Sequence, residues 1–122
     1  MDIKKIVVIE DEIYMCDVIE RILKPLANVR LFLAHDGITG RQLCMDILPD
    51  LIFLDFIMPK ENGDKVMEYL KKTKETRKIP VVVMSGLAEH TEDNIEEGIF
   101  YLPKPFKKQM LLEMVEKFIG KA

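Results

Sequence analysis

The sequence predicts a single α/β domain in which five parallel strands form one sheet with helices on both faces. Two observations lead to this fold class. The apolar residues change repeatedly between short continuous runs and helical spacing, as expected for alternating strands and helices. The runs are apolar throughout, which is typical of parallel strands that are covered on both sides. Right-handed crossovers between such strands produce a three-layer sandwich.

Five segments are predicted to be strands. Four of them are continuous apolar runs, whereas the second reads Val-Arg-Leu-Phe-Leu-Ala and suits a position nearer the edge of the sheet. In chain order the predicted strands are residues 6–9, 29–34, 51–54, 81–84 and 99–102.

Helical spacing of apolar residues predicts a helix after each strand, which gives the pattern (βα)5. The first helix is expected to end near Pro25, and the second stops at Pro49. Between the fourth and fifth strands only Ala88, Thr91 and Ile95 keep helical spacing, so this helix is expected to be short and weakly apolar. The apolar faces of the other four helices span residues 15–26, 43–48, 66–70 and 111–118.

Length and composition fit one globular domain of 122 residues with 48% hydrophobic and 32% charged residues. The formal net charge of −3 argues against a general nucleic-acid or membrane-surface role, which would need a basic face. No apolar stretch approaches the roughly 20 residues of a membrane span, and the N-terminus lacks a signal peptide, so a cytoplasmic protein is expected. Cys16 and Cys44 fall in helical patterns and are expected to be reduced and structural.

Four of the predicted strands end close to residues that can bind a metal or a phosphoryl group. Glu10 and Asp11 follow the first strand, Asp55 the third and Ser85 the fourth, and Lys104 comes soon after the fifth. The carboxyl ends of parallel strands share one edge of the sheet, where open α/β folds bind ligands. The sequence therefore predicts a site with three carboxylates, a hydroxyl and an ammonium group.

The three carboxylates predict a magnesium site, because Mg²⁺ prefers oxygen ligands whereas Zn²⁺ favours Cys and His. Clustered carboxylates repel one another, and a protein keeps such a cluster when cations compensate it. Lys104, fixed between Pro103 and Pro105, is one such cation, and a divalent metal is the natural second. Each residue alone also has an ordinary explanation: a polar helix start for the first two acids, a turn residue for Ser85 and a surface lysine for Lys104.

Four motifs stand at the ends of the first, third, fourth and fifth predicted strands. They are VVIEDE at residues 7–12, LDFIMP at residues 54–59 with Gly63, MSG at residues 84–86 and YLPKPF at residues 101–106. Together and in this order they resemble the receiver domain of two-component response regulators, over essentially the whole chain. The resemblance implies a doubly wound, three-layer sandwich with a five-stranded parallel sheet in the flavodoxin-like order 2-1-3-4-5.

By this resemblance Asp55 is the phosphoacceptor. Mg²⁺, for which Mn²⁺ can substitute, is then held by Glu10, Asp11, Asp55 and the backbone carbonyl of Ile57. Lys104 pairs with a phosphoryl oxygen. Physical chemistry supports these roles, because an aspartate carboxylate can attack phosphorus when metal and lysine neutralise the charge on the transferring group.

The resemblance also implies a switch. Ser85 donates a hydrogen bond to another phosphoryl oxygen, and Tyr101 is the aromatic residue that moves inward on activation. The peptide bond between Lys104 and Pro105 is expected to be cis. The phosphoryl group adds about −1.5 to −2 charges at the sheet edge, so the switch is a local electrostatic event with a surface readout.

The implied function is that of a phosphoacceptor signalling protein. A histidine kinase or a phosphotransfer protein donates the phosphoryl group, and the output is a contact with an unknown downstream protein or onward transfer in a phosphorelay. Residues 1–122 are expected to be a single receiver-like domain without an output domain, and a monomer or weak dimer. It is not a conventional enzyme, because it would catalyse only its own phosphorylation and dephosphorylation at Asp55.

Three alternatives share parts of this pattern. A receiver-like interaction module that works without phosphorylation stays open. A haloacid-dehalogenase-like phosphohydrolase would need a second aspartate two positions after the nucleophile, where this chain has Ile57. A flavodoxin-like flavin binder would need a phosphate loop after the first strand, where this chain has three acids that repel phosphate in the absence of a metal.

Two departures from the family pattern affect the expected surface for output and the expected lifetime of the acyl phosphate. Lys104 follows Ser85 by only 19 positions, so the helix between the fourth and fifth strands is short by nearly one turn. That segment carries five acids and no Lys or Arg, which fits a solvated helix or loop. Ile57 and Leu87, two residues beyond Asp55 and Ser85, are apolar and are expected to exclude water and prolong the life of an acyl phosphate.

Overall fold

Five parallel strands form one sheet in the computed structural model, which describes residues 2–58, 61–87 and 92–120. The strand order is β2-β1-β3-β4-β5, which confirms the predicted 2-1-3-4-5 topology. Each strand starts or ends within two residues of its prediction. The strands are β1 (Lys4–Ile9), β2 (Val29–Ala34), β3 (Leu51–Asp55), β4 (Val81–Ser85) and β5 (Ile99–Pro103).

Among the residues that the structure describes, four helices accompany the strands: α1 (Ile13–Leu23), α2 (Gly37–Ile47), α3 (Gly63–Lys72) and α4 (Lys108–Ile119). Helices α1 and α4 pack on one face of the sheet, and α2 and α3 pack on the other. The three-layer sandwich is therefore confirmed. Within the described part of the chain, no helix combines the length and the apolarity that a membrane crossing requires.

Each strand contributes to two hydrophobic cores, because successive side chains point to opposite faces of the sheet. In β1, for example, Ile6 and Val8 face α1 and α4, whereas Val7 and Ile9 face α2 and α3. All four side chains are fully buried. This burial on both faces explains why the strands read as continuous apolar runs rather than as alternating patterns.

Pro25 sets where α1 ends, and Asp36 sets where α2 begins. Helix α1 ends at Leu23, two residues before Pro25, near which its end was predicted, because Pro25 has no N–H to continue the helix. Helix α2 begins after Asp36, whose carboxylate accepts the N–H of Thr39 at 2.7 Å. This bond satisfies one of the free donors of the first helical turn.

The structure differs from the predicted pattern between β4 and β5. Residues 86–87 and 92–98 contain no helix, and Ala88 and Thr91 of the predicted helix lie outside the described residues. Asn94 instead forms a short antiparallel bridge with Ile99, in which each backbone N–H donates to the other carbonyl. The physical reason is the lack of an apolar face, since Ile95 is 72% exposed and covers no core.

Gly63 allows α3 to begin directly against the end of β3. A Cβ atom at this position would lie 2.6 Å from the carbonyl oxygen of Asp55 and 2.6 Å from the Cα of Phe56. The Gly63 N–H donates to the carbonyl oxygen of Phe56 at 2.7 Å. Because these neighbours are backbone atoms, they cannot move aside as a flexible side chain could.

The substitution Gly63→Ala is therefore expected to lower the free energy of unfolding by about 1–3 kcal/mol, because the added methyl group overlaps the backbone that follows β3. Urea denaturation measures the change. Gly86→Ala is the matched control, since the nearest atom to a Cβ there is the Lys104 carbonyl oxygen at 3.8 Å. Wild-type stability in Gly63→Ala would show that this close approach is not a constraint.

Candidate functional site

The carboxyl ends of the strands bring the predicted site residues to one edge of the sheet. Asp55 is the last residue of β3 and Ser85 is the last residue of β4, while Glu10 follows β1 and Lys104 follows β5. Glu10 and Asp55 are buried, with 0% and 5% of their surface exposed. Residues that are up to 94 positions apart in sequence are thus neighbours in space.

Three carboxylates form the centre of the site. Glu10, Asp11 and Asp55 each offer one oxygen atom, and these oxygens lie within 4.8 Å of one another. The ammonium group of Lys104 lies between two of the acids, with Nζ 3.0 Å from Glu10 Oε1 and 3.1 Å from Asp55 Oδ1. The predicted convergence of three acids and one lysine is therefore present in the structure.

Burial and mutual repulsion oppose full ionisation of this cluster. Burial, followed by the interaction with Asp55, raises the pKa of Glu10 to about 7, although the nearby Lys104 acts in the opposite direction. For Lys104 burial lowers the pKa, but its bonds to Glu10 and Asp55 together outweigh burial and the pKa is raised. The lysine is therefore charged at neutral pH, and the cluster carries negative charge that it only partly compensates.

Besides the bond from Lys104, hydrogen bonds hold the backbone and the second carboxylate oxygen of Glu10. Its backbone N–H donates to the carbonyl oxygen of Ala34 at 2.9 Å, and its Oε2 accepts the N–H of Glu12 at 3.2 Å. Its carbonyl oxygen contacts Cys16 Sγ at 3.2 Å and His35 Nδ1 at 3.3 Å. Glu10 is thus held through its N–H, its carbonyl and its carboxylate.

Sequence reasoning missed the contact of Cys16, which it treated as a structural thiol, and that of His35. His35 is exposed, yet it lies against the Glu10 carbonyl because β2 neighbours β1 and ends at the residue before it. The strand order 2-1-3 was the signal that could have found it. Burial, followed by nearby acids, raises the pKa of Cys16 to about 11, so its thiol keeps its proton at neutral pH.

Ser85 connects two loops at the same edge. It is buried, its Oγ accepts the N–H of Leu87 at 3.1 Å, and its carbonyl oxygen accepts the N–H of Lys104 at 2.9 Å. The peptide bond between Lys104 and Pro105 is cis. The backbone of the lysine is therefore attached to the end of β4, and its side chain reaches from there to the acids at the ends of β3 and β1.

Tyr101 lies within β5, and Ile57 lies two residues beyond the end of β3. Tyr101 is partly buried in β5 on the side of α2 and α3, and its N–H donates to Asp93 Oδ1 at 2.9 Å. Ile57 follows Asp55 by two residues, and its side chain is 61% exposed. Leu87, which follows Ser85 by two residues, is partly buried.

The donor set suits a hard divalent cation. The three residues that come together offer carboxylate oxygens, and such oxygens are the preferred ligands of Mg²⁺ and Mn²⁺ rather than of Zn²⁺. Burial, followed by the neighbouring Asp55, raises the pKa of Glu10, and a divalent cation would neutralise the negative charge of the clustered acids. The residues present therefore fit a magnesium site.

Comparison with known proteins gives the same architecture. The family described as "Response regulator receiver domain" matches residues 6–116. The receiver domain of sensor histidine kinase PA1611 from Pseudomonas aeruginosa PAO1, crystallised with a magnesium ion in its active site cleft, is 26% identical. It superimposes with a TM-score of 0.83 over 98% of this chain and 99% of that domain.

Two curated relatives differ in how much of their own length this chain covers. The polar-differentiation response regulator DivK of Brucella ovis is 30% identical over 72% of this chain and 74% of its own length. The DNA-binding dual master transcriptional regulator RpaA of Synechocystis sp. is 31% identical over 94% of this chain. The chain spans about half the length of RpaA, 48%, and of several other curated relatives that it matches.

In the absence of divalent metal, Glu10 is expected to make the protein less stable as pH rises. Its pKa is about 7 in the folded state against an ordinary value of 4.5. Its contribution is fully present below pH 4.5 and is lost as pH rises to about 7, because the unfolded chain releases the proton first. The loss is up to roughly 3 kcal/mol.

Urea unfolding in EDTA between pH 5 and pH 8 measures this effect in wild type and in Glu10→Gln. The variant cannot ionise at this position, so the fall in its unfolding free energy should be smaller than in wild type. Parallel pH profiles for the two proteins would contradict the raised pKa of Glu10.

Proposed function

We propose that this chain, which belongs to the response regulator receiver family, is a phosphoacceptor that receives a phosphoryl group on Asp55 and signals by a conformational switch. The observation that carries the proposal is the bridge from Lys104 to Asp55 and Glu10. It places one cation against the candidate nucleophile and one candidate metal ligand. Phosphoryl transfer requires chiefly such positioning and charge compensation.

In the proposed reaction a carboxylate oxygen of Asp55 attacks the phosphorus of a phosphohistidine. The new oxygen–phosphorus bond forms while the phosphorus–nitrogen bond breaks, and the electron pair of that bond stays on the imidazole of the donor. The product is an acyl phosphate on Asp55. Lys104, whose Nζ already lies 3.1 Å from Asp55 Oδ1, is within reach to pair with the oxygens of the phosphoryl group.

Glu10, Asp11 and Asp55 would hold Mg²⁺, together with the backbone carbonyl of Ile57. The metal would supply positive charge that neutralises the oxygens of the transferring group. Mn²⁺ prefers the same oxygen donors and can substitute. The support for this assignment is the donor set itself, three carboxylate oxygens within 4.8 Å of one another.

The switch follows from the charge that phosphorylation adds. About −1.5 to −2 charges appear next to Ser85, whose hydroxyl can donate to a phosphoryl oxygen. Ser85 currently accepts the N–H of Leu87, so reorienting its hydroxyl moves the loop that follows β4. Tyr101 lies in the neighbouring strand β5 and can move into the space that this loop leaves.

The proposed donor is a histidine kinase or a histidine phosphotransfer protein, because either carries the phosphohistidine that the reaction requires. The proposed output is a contact with a downstream protein or onward transfer of the phosphoryl group. These proposals concern residues 1–122 as one receiver unit that acts as a monomer or weak dimer.

Incubation with acetyl phosphate and Mg²⁺ is expected to add the mass of one phosphoryl group to the wild-type protein. Intact-mass spectrometry measures it, with EDTA as the metal control. Asp55→Asn should gain no mass because it lacks the nucleophile, whereas Asp46→Asn, which removes an exposed aspartate of α2, should react as wild type does.

An unmodified wild-type protein under all these conditions, with no binding of beryllofluoride as a phosphoryl mimic, would contradict the phosphoacceptor role. It would support the second candidate function, a receiver-like interaction module that works without phosphorylation. The lack of a helix in residues 92–98 favours that candidate, since it shows that one part of the family pattern is altered.

The acyl phosphate is expected to persist because Ile57 and Leu87, two residues beyond Asp55 and Ser85 in the chain, are apolar and would exclude water. Ile57→Ser and Leu87→Ser should each shorten its lifetime by admitting water. The phosphoryl mass is followed over time after removal of the donor, with Ile38→Ser as control, since Ile38 is an exposed apolar residue of α2. Loss of the phosphoryl group from wild type within seconds would contradict this expectation.

A further inference from the structure

Two side chains that the proposed reaction does not use hold the peptide unit between Glu10 and Asp11. The Glu10 carbonyl oxygen lies 3.2 Å from Cys16 Sγ and 3.3 Å from His35 Nδ1, and these two atoms are 3.5 Å apart. A carbonyl oxygen can only accept hydrogen bonds. The Cys16 thiol is one donor, and His35 is the second in the tautomer that carries its proton on Nδ1, so that both converge on one oxygen.

The position of this carbonyl explains why side chains are needed there. The β1–β2 ladder ends with the pair Ile9 and Ala34, and the Ala34 carbonyl accepts the Glu10 N–H. The Glu10 carbonyl lies beyond these last paired residues, in a residue that is fully buried. A buried carbonyl without a partner is costly, so Cys16 and His35 supply donors at the point where the ladder ends.

The orientation of this carbonyl affects the spacing of the acids. A peptide unit is planar, so the direction of the Glu10 carbonyl also fixes the N–H of Asp11 and the path to its Cα. The Glu10 carboxylate is already held by Lys104 and by the N–H of Glu12. Rotation of the peptide is therefore a remaining way in which Asp11 could turn away from the other two carboxylates.

We propose that Cys16 and His35 are positioning residues for the metal site: by fixing the peptide between Glu10 and Asp11, they hold both carboxylates in the arrangement that binds a divalent cation. The inference rests on the magnesium site of the proposed function. Cys16 and His35 act through the Glu10 carbonyl and contribute no ligand to the metal. Their loss should weaken metal binding without removing a carboxylate.

Cys44 provides a matched control within the same chain. It is also a buried thiol on a helix, with 0% of its surface exposed against 2% for Cys16. Burial raises the pKa of Cys44 to about 12, so both thiols are protonated at neutral pH. Cys44 packs in the core between the sheet and helices α2 and α3, whereas Cys16 contacts the end of β1.

The test is calorimetric titration of the metal-free protein with Mg²⁺ at a fixed pH of 8, for wild type, Cys16→Ala, His35→Ala and Cys44→Ala. The first two variants should bind Mg²⁺ about three- to tenfold more weakly. This is below the roughly 10–100-fold known for partners of metal ligands, because a thiol and a partly solvated imidazole are modest donors. Cys44→Ala should keep wild-type affinity, although it loses a buried thiol.

Rescue separates positioning from a general loss of structure. His35→Asn keeps an N–H donor and should bind Mg²⁺ more tightly than His35→Ala. Unfolding in EDTA reports the stability of each variant independently of the metal. If Cys16→Ala does not fold, the exposed His35 decides, since its substitution leaves the core unchanged.

Each outcome distinguishes this inference from the function on which it rests. Wild-type affinity in both Cys16→Ala and His35→Ala would overturn the inference and leave the magnesium site intact. An equal loss of affinity in Cys44→Ala would overturn it too, because the effect would then be a general softening of the fold. Failure of the wild-type protein to bind Mg²⁺ would overturn the metal site itself, and the inference with it.

Discussion

The electrostatics of the site depend on one ammonium group placed between two buried carboxylates. Lys104 bonds Glu10 and Asp55 from positions 94 and 49 residues away in sequence, so the contact exists only when β1, β3 and β5 lie together in the sheet. Its charge offsets part of the repulsion that burial makes severe. Burial, followed by Asp55, raises the pKa of Glu10 in spite of Lys104. One lysine faces a cluster of three carboxylates, and this excess of acidic groups makes the site suitable for a divalent cation.

The strand order sets how far Lys104 must reach and which residue lies beside it. Lys104 follows the edge strand β5, and its side chain must pass the ends of β4 and β3 to reach Glu10. A long, flexible side chain is needed for this distance, and the small Ser85 stands at the end of the strand between them. Because the Ser85 carbonyl oxygen also accepts the backbone N–H of Lys104, the two residues are joined through their backbones. A phosphoryl group arriving at Asp55 would meet both.

Most of the fold and the central residues of the site could be predicted from the sequence, because continuous apolar runs mark buried strands and each functional residue follows the end of one. The cluster of Glu10, Asp11, Asp55 and Lys104 came from that rule and from the family resemblance. The contacts of Cys16 and His35 could not be predicted in the same way. They depend on the direction of a carbonyl at the last rung of a ladder, and spacing along the chain does not encode that direction.

The described residues 92–98, between β4 and β5, do not form the predicted helix, for a reason that also explains what they do for the sheet. β5 is an edge strand, whose free backbone groups invite pairing with another chain. Asn94 pairs with Ile99, the Asp93 carboxylate accepts the N–H of Tyr101, and Pro103 has no N–H to offer. Asp and Asn side chains favour such local bonds to backbone over helix formation. Because Asp93 is bonded to the backbone of Tyr101, a shift of β5 at this residue would carry the exposed acidic segment with it.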